Sequence, residues 1–316
     1  MLILFRFLLA LNIMIALILF GVGCSDESAP ESQGKVTLLA VGDVFFARGV
    51  GKQTEKHGSQ YPFLKTKEII KSADIAFCNL ECTLSKRGLP HRRKYIFRAD
   101  PEFASILHDN GFDVACLANN HTLDFGRDAM LDTQNAIEKA GMLAIGVGKD
   151  KQDSLRLHTI RKNGLVVGFI GYTDIGSVGV VRLDDRPTVA GADSERLPAQ
   201  IRDAKSKCDV LVVSFHWGIE YMKRPTERQQ MLARLCIDNG ADLILGHHPH
   251  VLQTVEIYKG KPIVYSMGGF IWDSKVFGSD KSAIYIVELH KSSASLVRSI
   301  PVKVRNGQPS IIDKAN

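Results

Sequence analysis

From Lys35 onward, short apolar runs alternate with segments of helical spacing, the pattern of an α/β fold. Residues 36–41, 74–79, 113–118, 166–172, 209–215, 242–245 and 262–266 are each short and rich in β-branched residues or Leu, as strands buried on both faces require. Between them, residues 127–140 carry Met130, Thr133, Ile137 and Ala140 along one side of a helix, with Gly141 as its stop. Residues 226–239 repeat the pattern with Met231, Leu232, Leu235 and Cys236 before Gly240. From 282 to 312 the alternation is that of antiparallel strands. Residues 177–197 have little periodicity and read as a long surface excursion.

The N-terminus follows a different rule. Arg6 precedes an apolar run from Phe7 to Gly23, interrupted by Asn12, and Cys24 is followed by a stretch of acidic and small residues. A positive flank before the run and an acidic one after it orient the mature chain away from the cytoplasm. Gly21-Val22-Gly23-Cys24 resembles a lipobox, with Gly21 where Leu is usual, so Cys24 is a candidate lipid attachment site. The same run is long enough for an uncleaved anchor. Both readings predict a membrane-attached protein on the extracytoplasmic face. The expected organisation is a lipoprotein signal or anchor over 1–24, a polar tether over 25–34 and one domain over 35–316.

Composition narrows the function. Apolar residues make up 45% and charged residues 23%, which excludes extensive disorder. A net charge of +6 admits anionic partners. With no zinc-finger spacing, RNP-type aromatic stretch or long basic helix, it does not indicate nucleic acid. If Cys24 carries lipid, the other five of the six cysteines are odd in number and irregularly spaced, so no disulfide framework is expected.

The chemistry concentrates where strands end. The run 36–41 leads into Asp43, 74–79 into Glu81, 113–118 into Asn119-Asn120-His121, 209–215 into His216, and 242–245 into His247-His248-Pro249-His250. In open α/β sheets the loops beyond the strand C-termini form the ligand crevice. Five strands therefore deliver carboxylate, amide and imidazole groups to one edge. That donor set suits Zn, Mn or Fe, and no cysteine lies there to close a structural zinc site. Singly, Asp43 reads equally as a helix cap and Asn119 or Asn120 as a turn residue. Three histidines within four residues are harder to explain by packing.

The segments VGD, NLECTLS, ANNHTLDFG, FHWGIEY, GHHPHVLQ and VYSMGGF, in this order and spacing, resemble the motifs of the CapA (PgsA-like) capsule-synthesis family, associated with poly-γ-glutamate. That family looks like a branch of the calcineurin-type metallophosphoesterases. The resemblance implies an αββα metallophosphoesterase-like sandwich, two mixed β-sheets flanked by helices, with one or two divalent metals at the strand ends. It implies Asp43 and His250 on one metal, Glu81 as the bridging carboxylate unless Asn79 takes that place, and Asn120, His216 and His248 on the second. His121 would act as acid, oriented by Asp124.

Three positions depart from the pattern. Val44 and Phe45 follow Asp43 where Asp-x-His is usual, Glu81 replaces an Asp, and Gly269 stands where the family has Asn. Lys86, Arg87, His91, Arg92, Arg93, Lys94 and Arg98 form a basic stretch, read as a solvated loop or an anion contact. Trp217 and Tyr221 are expected to wall the pocket or simply to pack, and Glu220 to be a ligand or a ligand's partner. The implied function is a metal-dependent hydrolase of capsule or envelope metabolism acting on an anionic polymer or phosphoester. The alternative is a non-catalytic polyanion-binding accessory that partners capsule-synthesis membrane proteins.

Overall fold

A computed structural model describes residues 34–176, 184–273 and 276–312. The leader, Cys24 and the tether as far as residue 33 lie outside the described residues. Among the described residues, no helix is long and apolar enough to cross a membrane.

The strands of the two main sheets, in chain order, are β1 (Val36–Val44), β2 (Ile75–Leu80), β3 (Val114–Cys116), β4 (Leu143–Ile145), β5 (His158–Lys162), β6 (Leu165–Thr173), β7 (Val210–His216), β8 (Leu243–His247), β9 (Val255–Tyr258), β10 (Lys261–Val264), β11 (Gly269–Ile271), β12 (Lys281–His290), β13 (Ser293–Arg305) and β14 (Gln308–Ile311). The first sheet runs β14-β13-β12-β1-β2-β3-β4, with β11 also paired to β1, and the second runs β9-β10-β8-β7-β6-β5. Both are mixed: β1, β2, β3 and β4 pair in parallel, as do β6, β7, β8 and β10, while the tail strands and β5 are antiparallel. This is the two-sheet architecture expected from the sequence.

Strand parity places the chemistry. Leu211, Val213 and Phe215 pack in one core with Leu197, Ile201 and Leu232 of the helices Leu197–Lys205 and Glu227–Asp238. Val210 and Val212 join the other core, with residues of the first sheet. Successive strand residues face opposite ways, so His216 shares the inner side with Val210 and Val212. Leu243 and Leu245, also in the inner core, set the same parity for His247. The register of β7 against β8 pairs His216 with His247. Across the interlayer, Phe77 stacks on Phe169 with ring centroids 6.4 Å apart, and its parity carries Asn79 to the same face.

One close approach explains a glycine. A Cβ on Gly42 would stand 1.8 Å from the carbonyl oxygen of Gly268, so only glycine lets β1 pass the turn before β11. That contact fixes Asp43 beside Gly269 on one side and Asn79 on the other.

The helix Glu227–Asp238 starts at a capping box in which Thr226 Oγ1 accepts from the Gln229 amide (3.2 Å) and Gln229 Oε1 accepts from the Thr226 amide (2.9 Å). Thr226→Ala is expected to cost about 1 kcal/mol, seen as a melting temperature lower by roughly 1–4 °C for a chain of this size. An unchanged thermal transition would contradict this.

Two sequence expectations change. The strand expected over 113–118 closes early, at Cys116, because Leu117–Asn120 turn toward the site. Residues 177–183 lie outside the described residues. The remainder of 177–197 is not all surface, since Thr188, Val189 and Ala190 are buried and Thr188–Val189 pairs with Val147–Gly148. The helices Arg48–His57, Phe103–Asp109 and Leu197–Lys205 add to the two expected from the sequence. The first is amphipathic and buries Val50 and Thr54.

Candidate metal centre

The strand-end residues converge between the sheets. Asp43 lies near the end of β1, Glu81 follows β2, His216 ends β7, and His248 and His250 flank Pro249 in the turn after β8. Asp43, Glu81 and His250 place one donor atom each within 4.8 Å of one another, as do Glu81, His216 and His248. Asn120 Oδ1 lies 2.9 Å from His216 Nε2. All are buried.

Glu81 is the focus. Its Oε1 is buried without a hydrogen-bond partner. Around it stand His216 Nε2 at 3.7 Å, His121 Nε2 at 3.9 Å and His250 Nε2 at 3.9 Å. These separations are too long for hydrogen bonds. They approach the spacing of donors that share an ion, since ligands bound at about 2.0–2.2 Å stand roughly 3–3.6 Å apart. His248 Nδ1 and both ring nitrogens of His247 are buried and equally unpartnered. A buried polar atom without a partner costs about 1–3 kcal/mol, and a divalent cation would satisfy several at once. The residues fit a metal.

The protonation states point the same way. Burial pushes His216 well below the usual imidazole range, reinforced by the neighbouring His248 and His247, and takes His247 down to about 4 and His248 down to about 3. Neutral imidazoles keep the lone pair that ligation needs. Burial works to raise the Asp43 carboxyl, but the His250 hydrogen bond, the charges of His250 and His247 and the Asn79 hydrogen bond hold it low. Glu81 is pushed well above its ordinary value by burial, then by the charges of Asp43, Glu220 and Asp124. Such crowding of carboxylates calls for positive charge between them.

Asn79 is not positioned as a bridging ligand. Its amide donates to Asp43 Oδ1 (2.8 Å), and its oxygen accepts from Asn119 Nδ2 (3.2 Å). It orients Asp43. Asn119 also donates to the Leu80 carbonyl and accepts from the His121 amide, tying the loop after β3 to the end of β2.

His121 meets the centre edge-on. Its Nδ1 lies 2.7 Å from Asp124 Oδ2, so Nδ1–H donates to the carboxylate and the bare Nε2 faces Glu81. Asp124 is fixed in turn by the Phe97 amide (2.8 Å) and by Arg93 Nη1 (2.8 Å). Arg93, read from sequence as part of a solvated loop or an anion contact, is here a half-buried ion-pair partner of Asp124 that also donates to the Asn120 carbonyl. Of the rest of that stretch, Arg87 pairs with Asp132 and Lys86 with Asp100.

Of the expected aromatic walls Tyr221 lines the cleft, its ring 6.0 Å from His250, while Phe45, Phe97 and Trp272 were not foreseen. Trp272 stacks on His250 at 4.0 Å, and Phe97 on His121 at 4.1 Å. Phe45, standing where Asp-x-His has its imidazole, packs between them, 4.4 Å from Trp272 and 4.8 Å from Phe97. Trp217 faces the other way: its Nε1 donates to the Tyr265 carbonyl and it packs on Phe215. Gly269 would have no room for the family's Asn, since a Cβ there would stand 2.5 Å from Trp272. His248 and His250 have φ of 93° and 55°, strain consistent with a turn held in place for its ligands.

A family model described as "Bacterial capsule synthesis protein PGA_cap" matches residues 37–274. The chain is 31% identical over 305 residues to the PGA biosynthesis protein CapA of Bacillus subtilis (strain 168), covering 96% of this chain and 80% of that one. It is 31% identical over 289 residues to the capsule biosynthesis protein CapA of Bacillus anthracis, covering 89% and 70%. Among solved structures, the NAD nucleotidase of Haemophilus influenzae superposes with a TM-score of 0.52 at 11% identity, covering 88% of this chain and 54% of that one, a likeness of fold alone.

Proposed function

This chain belongs to the bacterial capsule synthesis protein family PGA_cap, and on that premise we propose that its strand-end cleft is a metal-dependent hydrolase site for an anionic ester or amide of capsule or envelope metabolism. The observation that carries the reading is Glu81 Oε1, buried, unpartnered and ringed by three imidazole nitrogens. A bound divalent ion supplies Lewis acidity there. Asp43, Glu81 and His250 would hold one ion and Glu81, Asn120, His216 and His248 a second, and His121, tuned by Asp124, stands ready to move a proton at Nε2. The apolar leader supports attachment to the extracytoplasmic face of a membrane.

The charge beside the centre is mixed, and the basic residues lie further out. The centre opens into a cleft of about 450 Å³ lined by Arg48, Phe97, His121, Trp272 and the acidic Glu220 and Asp273, the last paired with Arg48. Arg48 also borders a groove of about 710 Å³ that carries Lys52, Lys86 and Arg98. The Lys52→Glu, Lys86→Glu double variant is expected to weaken binding of γ-linked polyglutamate about tenfold while leaving turnover of a small phosphoester unchanged. Equal polymer binding by both proteins, measured by calorimetry, would count against the groove. A panel of phosphoester and γ-glutamyl substrates, assayed with and without chelator, tests the activity itself. No chelator-sensitive turnover on any member contradicts it.

One observation favours a non-catalytic accessory: Phe45 fills the place of an expected ligand with an apolar ring. Under that reading, the His121→Ala, His216→Ala double variant restores capsule to a deletion strain. Under the hydrolase reading it does not.

A further inference from the structure

The buried donors leave one side of the centre open, toward solvent, and there stands Glu220. Its carboxylate lies within 4.8 Å of ring nitrogens of both His248 and His250, forming a third ligand-like group beside the two buried ones. We propose that Glu220 is a carboxylate ligand of the metal centre, closing its solvent side between His248 and His250 and offsetting the imidazole that is absent after Asp43. This rests on the metal-site reading above and names a ligand beyond it.

Three independent features place Glu220 there. First, its loop is pinned to the histidine turn by the backbone: the Trp217 amide donates to the His247 carbonyl (3.2 Å) and the Tyr221 amide to the Pro249 carbonyl (2.8 Å). Second, both segments hold non-glycine residues at positive φ, Tyr221 at 63° on one side and His248 and His250 at 93° and 55° on the other. Such strain persists only where surrounding contacts over-determine it. Third, beside Glu220 the ring of His248 has its Nδ1 buried without a hydrogen-bond partner. The carboxylate also lies close enough to Glu81 for its charge to help raise that group. Two carboxylates and two imidazoles around one opening are a donor set for a divalent ion, not for an anion.

The chemistry of the exchange is consistent. With Phe45 in the imidazole's place, the site beside Asp43 has Asp43, Glu81 and His250, and three protein ligands leave positions to fill. A carboxylate from the opposite sheet adds a negative charge where the imidazole would have added none. That shift favours harder cations, so Mn(II) should gain relative to Zn(II).

The test is Mn(II) titration of the full-length chain in detergent, stripped of metal, followed by the electron spin resonance signal of free Mn(II). Glu220→Gln should bind at least tenfold more weakly at one class of site, or take up one ion fewer, and Glu220→Asp should recover part of the loss. The metal-free thermal transition should match wild type, because Glu220 is exposed. A Glu220→Gln isotherm equal to wild type overturns the proposal, even if turnover falls, since Glu220 then serves the substrate instead. His216→Ala, run beside it, separates the two ideas. If it loses Mn(II) while Glu220→Gln does not, the centre stands and only Glu220 falls. If wild type takes up no divalent ion, both fall.

Discussion

His216→Ala should leave the protein folded and empty its metal centre, with bound transition metal below a tenth of the wild-type content. The imidazole is held by strand register, opposite Thr173 on one side and His247 on the other, and its Nε2 faces both Asn120 Oδ1 and Glu81 Oε1. Its removal takes a neutral donor from the group it forms with Glu81 and His248. Because ion binding stabilises the folded state by mass action, the rise in melting temperature that Mn(II) gives wild type should also vanish. Metal analysis and thermal scans with and without Mn(II) measure both effects. A variant that keeps its full complement of metal would contradict the role given to His216.

His121→Ala should do the opposite, keeping metal while losing turnover by about 10²–10⁴-fold, the range for a positioned acid or base. The ring stands at the rim of the centre, 3.9 Å from Glu81 Oε1, and its other nitrogen is committed to Asp124. Asp124→Asn should share much of the loss, because an amide cannot select the same imidazole tautomer as a carboxylate. Metal content within a factor of two of wild type, with kcat reduced and KM little changed, is the expected signature. If His121→Ala strips the metal as His216→Ala does, His121 is a ligand and not a proton carrier.

Much of the centre was legible because strand ends are legible. Short β-branched runs announce buried strands, and whatever follows them must lie at one sheet edge, so Asp43, Glu81, Asn119 to His121, His216 and His247 to His250 could be grouped before any coordinates, and the family resemblance singled out Asp43, Glu81, Asn120, His216, His248 and His250 among them. The three clustered histidines drew attention because packing alone rarely gathers them. The walls were not legible, since Phe45, Phe97 and Trp272 look like any core aromatics and their meeting is a property of the tertiary fold. Arg93 was lost in a run of charges. A basic run reads as solvated unless a buried acid such as Asp124 waits for one member of it, and that acid sits 31 residues away. Asn79, weighed as a ligand, proved to be the amide that aims Asp43.

The two departures from the superfamily pattern now have physical content. Phe45 does not leave a hole; it closes an aromatic cluster behind His121 and His250. Glu81 reaches further than an aspartate and brings its free oxygen within 4 Å of three imidazoles. The longer arm suits a centre whose donors come from two sheets.

The most direct test is an anomalous difference map from crystals of the protein grown with Mn(II), collected with X-rays at which manganese scatters anomalously. A peak about 2.0–2.3 Å from Glu81 Oε1 and from His216 Nε2 is the predicted result. A cleft without a peak, with those two atoms hydrogen-bonded to water instead, would contradict it.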